Sequence, residues 1–215
     1  MDVFVSVGTG LNSEQEAFVS AVEAQLRLMG FNPCTIGRNT FSTDAPLKAV
    51  IALMDRCEGT VVVALERYYL EAGVERRGSE REQRLGAVSF PTSWNQIEAA
   101  MAYGRDLPLL VLVDEKLRCD GLLEKGNDWF VHQLPVNPAA LESPPFRGLL
   151  ESWRAQVVKR RAEAPSAPSD NRPEVDKMSV GQLLAALKPG QLWSLVIAVA
   201  GALAGAFAAG AKLGS

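Results

Sequence analysis

Trp94 and Glu98 carry the most chemical content in this chain. Four positions apart on a helix, they occupy neighbouring turns. At 100° per residue Glu98 falls beside Trp94 and Met101, at the edge of an apolar stripe. A carboxylate at such an edge is partly desolvated, which pushes its pKa upward. Next to a ribose it could accept sugar hydroxyls and stabilise an oxocarbenium-like transition state, as carboxylates do in glycoside hydrolysis. The plainer alternative is a boundary glutamate paired with a neighbouring arginine. A second feature is Gly8-Thr9-Gly10, directly after an apolar run. Glycines there let a ligand approach the backbone, and the helix that follows offers free N–H groups. The turn has neither a Walker lysine nor the G-x-G-x-x-G spacing, so it can also be a turn and no more. With the loop around Arg38 and the run Glu66-Arg67-Tyr68, four segments would meet beyond the carboxyl ends of an open α/β sheet. In such a site Trp94 and Tyr68 shape a base or ribose pocket, and Arg38 or Arg67 meets phosphates.

Composition removes other chemistries. His132 is the single histidine, which excludes a multi-histidine metal site and argues against a Ser-His-Asp triad. Cys34, Cys57 and Cys119 lie far apart with no C-x-x-C and read as small buried hydrophobes. No metal is expected, and no resident cofactor. A net charge of −3, with acids and bases mixed along the chain, argues against nucleic acid as a partner.

The elements that must position these residues follow from periodicity. Asp2–Val7 is a strand, and Ser13 with Glu16 forms a capping box for a helix through Val19, Val22 and Leu26 that Gly30 stops. Asn32–Ile36 is a short strand. A helix capped by Asp44 carries Leu47, Val50, Ile51 and Met54 on one face, and Thr60–Leu65 is a strand covered on both sides. Residues 66–84 hold ten charges, five of each sign, and read as a solvated loop or short exposed helix. A helix from Thr92 buries Trp94, Ile97 and Met101 and ends at Gly104. Leu107–Val113 and Asp128–Leu134 are further strands, and Phe146–Arg161 closes the domain as a helix. The alternation predicts an α/β fold with a parallel sheet flanked by helices, flavodoxin-like if its crossovers are right-handed.

This domain spans residues 1–163. Residues 164–178 form a Pro-rich linker, 179–190 a short amphipathic helix at the membrane surface, and 191–213 a transmembrane helix. Leu192–Ala211 is 20 residues without a charge, long enough to cross a hydrocarbon core, with Trp193 at one interface. Lys159, Arg160, Arg161, Arg172, Lys177 and Lys188 precede it and Lys212 follows, which places the large domain on the cytoplasmic side of an inner membrane, single-pass. MDVFVSVGTG shows no signal peptide, so secretion is not expected.

The order VFVSVGTG, helix, GRNTFSTDAP, PLKAVIALMDRCEGTVVVALERYY and SWNQIEAAMAYGRDLPLLVLVDE, over residues 2–134, resembles a bacterial TIR or TIR-like domain. It is also similar to the nucleoside 2-deoxyribosyltransferase-like fold. The chain differs from the TIR pattern in a Trp-to-Glu spacing one residue longer, a charged insertion at 71–90, and SVGTG in place of the usual opening motif. The resemblance implies a mobile ligand-facing loop at about Gly37 to Pro46 and makes Glu98 the counterpart of the catalytic glutamate of NAD-cleaving members. Three readings follow. One is a membrane-anchored NAD⁺ glycohydrolase or nucleoside N-glycosidase, by analogy an effector of bacterial antiviral defence. Another is a non-catalytic nucleotide sensor whose membrane helix oligomerises to disrupt the membrane. A scaffold that merely oligomerises at the membrane is the third.

Gly201 and Gly205 form G-x-x-x-G, and Ala209 extends the same face. Small residues at that spacing let two helices approach closely in lipid, where the hydrophobic effect gives no drive to associate. A homo-oligomer is therefore expected. Gly201→Leu or Gly205→Leu should weaken crosslinking in membranes while Leu203→Ala leaves it intact; an unchanged oligomer ladder in both glycine variants would reduce this face to an anchor.

Overall fold

The computed structural model describes residues 1–163. The linker at 164–178, the short helix at 179–190 and the transmembrane helix at 191–213, with Gly201, Gly205 and Ala209, lie outside the described residues. Among the described residues no helix is long and apolar enough to cross a membrane.

The chain runs β1 (Asp2–Val7), α1 (Ser13–Leu28), β2 (Asn32–Cys34), α2 (Pro46–Met54) and β3 (Thr60–Ala64). Four short strands follow: β4 (Tyr68–Leu70), β5 (Gly73–Glu75), β6 (Gln83–Leu85) and β7 (Val88–Phe90). The domain ends with α3 (Ser93–Tyr103), β8 (Leu109–Asp114), β9 (Phe130–Leu134) and α4 (Pro144–Glu163). Five strands make one sheet in the order β2-β1-β3-β8-β9, every pair parallel. The architecture is α/β, a parallel sheet flanked by helices, consistent with the flavodoxin-like order. The strand order reverses at β1, so the carboxyl ends of β1 and β3 diverge and leave a crevice, the usual ligand position in such sheets.

Both faces of the sheet are covered, which is why its strands read as continuous apolar runs. The pleat sends alternate residues to opposite sides. Val3, Val5, Val61, Val63, Leu110 and Leu112 pack with Phe18, Val22 and Leu26 of α1 and with Phe146, Trp153 and Val157 of α4. Phe4, Val62, Ala64, Val111 and Val113 pack with Val50, Leu53 and Met54 of α2 and with Ala99 and Ala102 of α3. Gly59 is required for the first of these layers. A Cβ there would lie 2.8 Å from Val157 Cγ2 and 3.0 Å from the Trp153 ring.

Several local expectations are corrected. The capping box of α1 is formed by Asn12 and Gln15, not Ser13 and Glu16: Asn12 Oδ1 accepts from the Gln15 N–H at 2.9 Å, and Gln15 Oε1 accepts from the Asn12 N–H at 3.1 Å. Asp44 does not cap α2; that helix begins at Pro46, whose fixed φ suits the first turn without a side-chain cap. The inward face of α2 is Ala49, Val50, Leu53 and Met54, leaving Leu47 and Ile51 exposed. Residues 66–84 are neither loop nor helix alone. They hold β4, β5 and β6, and two antiparallel ribbons result, β4 with β7 and β5 with β6. Of the ten charges only Glu75 and Arg84 lie on these strands; the others stand in the flanking and connecting segments, and the ribbons add no residue to the two apolar layers.

Both apolar layers close within residues 1–163, and the compact unit ends at Ala164. Residues 1–163 expressed alone should therefore stay soluble and unfold in one cooperative transition in urea. Precipitation, or a gradual loss of signal, would place the domain boundary elsewhere.

Candidate functional site

α3 brings the central residue to the sheet. Thr92 caps it, its hydroxyl accepting from the Trp94 N–H at 3.3 Å. Its buried face is Asn95, Glu98, Ala99 and Ala102, spaced i, i+3, i+4, i+7. Trp94 and Ile97 are 41% and 43% exposed, so the expected inward stripe is corrected at these two positions, whereas Met101 is partly buried against the layer of α2 and α3. Trp94 and Ile97 face outward because Ala99 and Ala102, both fully buried, allow α3 to lie close on the sheet. The same packing carries Glu98 beyond the edge of the stripe and into the interior, at 8% exposure.

Burial pushes the Glu98 pKa up to about 7, and the nearby Ser6 hydroxyl acts in the opposite direction. No charged neighbour contributes to the displacement, so the alternative of a boundary glutamate paired with an arginine is not what the structure contains. A carboxyl of this kind changes charge near neutrality, which suits a group that must act in both forms.

The glycine turn lies at the crevice between β1 and β3. Gly10 has φ +71°, the left-handed region that favours glycine, and a Cβ on it would come within 3.3 Å of Arg67 Nη1. Arg67 Nη1 donates to the Thr9 carbonyl at 2.6 Å, and Gln15 Nε2 donates to the Glu66 carbonyl at 2.9 Å. The two bonds tie the turn to the end of β3. Around them is a cavity of about 70 Å³ lined by Gly8, Thr9, Gly10, Leu11, Gln15, Leu65, Glu66, Arg67 and Thr92. A second, of about 160 Å³, lies on the β2 side of the same turn, bounded by Thr35, Ile36, Gly37, Arg38 and Glu16. Glu66 also accepts a hydrogen bond from the Ser89 hydroxyl. It is a second carboxylate at the crevice: the run Glu66-Arg67-Tyr68 was expected there but Glu66 itself was given no role, although its position just past a buried strand was an available signal.

Arg38 is committed elsewhere. Its Nε donates to Glu23 at 2.7 Å, its Nη1 and Nη2 reach Glu16 at 2.9 and 2.6 Å, and Nη2 also meets Ser20 Oγ at 3.2 Å. Glu23 is almost fully buried, and the guanidinium satisfies one of its oxygens while Arg27 Nη2 meets the other at 3.2 Å. The same contact holds Glu16 below the usual carboxylate range. Arg38 thus fastens the loop at Gly37 to α1, and a phosphate would have to compete with two carboxylates for it.

The structure brings Gly8, Thr9, Gly10 and Arg67 around one cavity and places Arg38 at its neighbour. Tyr68 and Trp94 are exposed, and neither lines these cavities. Glu98 lines neither of them; it sits one turn inside α3, on the sheet. Among the described residues no group of His, Cys, Asp and Glu is arranged to hold a metal ion. His132 lies between Phe130 and Phe146, its pKa lowered by burial. No protein-family model matches the chain, and no curated protein matches it either.

The position of Glu98 has a consequence for stability. Its folded pKa of about 7 exceeds the ordinary 4.5, so between these values the folded protein retains a proton that the unfolded chain releases. The stability present below 4.5 is therefore lost as pH rises through 7, by about 3 kcal/mol in all. Glu98→Gln keeps the shape without the charge. It should be nearly neutral in urea unfolding at pH 5 and stabilising by about 1–3 kcal/mol at pH 8. An equal effect at both pH values would mean that the carboxyl is not desolvated in solution.

Proposed function

We propose that this chain is a membrane-anchored TIR-like effector, in keeping with bacterial antiviral defence, that cleaves the N-glycosidic bond of NAD or a related nucleotide. The observation that carries the reading is Glu98: a buried carboxyl without a charged partner, with a pKa near 7, on the helix that follows the crevice. A lone carboxylate in a dry surrounding is well suited to stabilise the positive charge that develops on a ribose as its base departs. The glycine turn offers backbone N–H groups, and the exposed Arg67 offers a cation beside it. Trp94 and Tyr68, exposed at the start of α3 and on β4, are surfaces on which a base can stack. The two cavities hold about 160 and 70 Å³, less than a dinucleotide needs. Binding therefore requires the Gly37–Pro46 loop or the glycine turn to move.

A second reading is favoured by one observation, that Glu98 lines neither cavity. A nucleotide held at the glycine turn and Arg67 without contact to Glu98 would be sensed and not cleaved. The Gly- and Ala-rich segment at 191–213 would then assemble to disrupt the membrane.

Incubating the purified full-length protein with NAD⁺ separates the two. Release of free nicotinamide is expected, with kcat/KM falling as pH drops below about 7, because protonation removes the negative charge. Glu98→Gln should lower the rate about a hundredfold or more while the protein stays folded. Binding of NAD⁺ without nicotinamide release, or full turnover by Glu98→Gln, would overturn the enzymatic reading.

A further inference from the structure

Two charged residues line the small cavity at the end of β3, Glu66 and Arg67, and they do not pair. Among the described residues no ion pair includes either. Each is held by a neutral group instead. Arg67 Nη1 donates to the Thr9 carbonyl, and the Ser89 hydroxyl donates to Glu66 Oε2. Ser89 is 7% exposed. Its strand, β7, pairs it with Tyr69, and its carbonyl accepts from the Arg118 N–H at 2.9 Å. The Glu66 backbone is fixed as well, its carbonyl accepting from Gln15 Nε2. The residue is thus held at both ends, yet it is exposed, and Oε1 receives no protein donor among the described residues. A carboxylate has about four lone-pair positions, so most of its accepting capacity is unused.

We propose that Glu66 is the ribose-binding residue of the crevice, its carboxylate accepting hydrogen bonds from the vicinal hydroxyls of a ribonucleotide. This rests on the reading of the ligand as a nucleotide, and it applies to a hydrolase and a sensor alike, since both must hold the sugar. Charge narrows the partner. A cation would be repelled by the Arg67 guanidinium and an anion by the Glu66 carboxylate, so a neutral donor suits the acid best. Volume narrows it further. About 70 Å³ is room for about two water-sized groups, which matches a pair of hydroxyls with the sugar ring outside. The place agrees as well: in dinucleotide-binding sheets of this kind an acidic side chain accepts the ribose hydroxyl. Ser89, which touches no ligand in this arrangement, is the positioning residue that aims the carboxylate.

The test is calorimetric titration of the full-length protein in detergent micelles with AMP and with nicotinamide mononucleotide, each against its 2′-deoxy counterpart. The titrations use Glu98→Gln protein, so that turnover does not intervene; Glu98 lies outside the cavity. The ribose forms should bind about tenfold or more tighter than the deoxy forms, because a missing hydroxyl leaves the acid without its partner. Adding Glu66→Gln should weaken binding of the ribose forms and bring the ratio below about threefold. The side chain is exposed, so the fold should hold, which urea unfolding checks. Ser89→Ala, which frees the carboxylate to swing, should narrow the ratio by less. Equal affinity for ribose and deoxy forms, or a ratio that survives Glu66→Gln, overturns the proposal and leaves the nucleotide reading standing. Binding of neither form overturns both. Discrimination that is lost with Glu66→Gln, when the wild type releases no nicotinamide from NAD⁺, upholds the ribose contact and removes only the hydrolase reading.

Discussion

The close approach of α3 to the sheet governs the rest of the molecule. Ala99 and Ala102 are the residues that touch β3 and its neighbours, and both are fully buried. With no bulk between helix and strand, whatever shares their face is forced into the interior. Asn95 and Glu98 share it. The desolvation that raises the Glu98 pKa is thus a result of two alanines, and so is the outward display of Trp94 and Ile97. A larger residue at Ala99 or Ala102 would lift the helix and return the carboxyl to water. Net stability of a domain is a small difference between large terms, so an interior acid is an appreciable fraction of it.

Around that contact the crevice is fastened by polar bonds of modest strength. Arg67 and Gln15 cross from the end of β3 to the glycine turn and to α1, and Arg38 holds the neighbouring loop against Glu16 and Glu23. The Arg67 bond is exposed, and such contacts rearrange at little cost. The Arg38–Glu23 pair is mostly buried, and breaking it leaves a carboxylate without its main partner. The two walls of the turn therefore differ in stiffness: the Arg67 side can open readily, whereas the Arg38 side opens only against the ion pairs. The β4–β7 ribbon, with Tyr68 and Tyr69 both exposed, extends from the softer side.

The sequence by itself determined the architecture. Val61–Ala64 and Leu109–Val113 are uninterrupted apolar runs, the composition expected of strands buried on both faces. The alternation with amphipathic helices then dictates parallel pairing, and the residues that end β1 and β3 fall at the crevice for the same reason. Glu98 and the glycine turn were legible as candidates from type and spacing. Local propensity was less decisive. Neighbouring residues compete to cap α1, and Asn12 with Gln15 prevails over Ser13 with Glu16 because Gln15 also reaches the Glu66 carbonyl.

Only the tertiary structure decided which way α3 faces. A pattern rule weights large apolar residues and so points Trp94, Ile97 and Met101 inward; packing against a two-sided sheet rewards small residues instead, and the helix turns to present Ala99 and Ala102. The same cause hid Ser6 and Asn95, whose meeting joins positions 89 residues apart. It also hid Gly59, needed only because Trp153 and Val157 of α4 press against it. The fate of Arg38 was equally out of reach, since its partners Glu16 and Glu23 lie on an earlier helix, and no local spacing relates them to the loop. Periodicity records what each segment can bury, whereas the position of a charge depends on how closely two segments approach, and that distance is set by side chains from both.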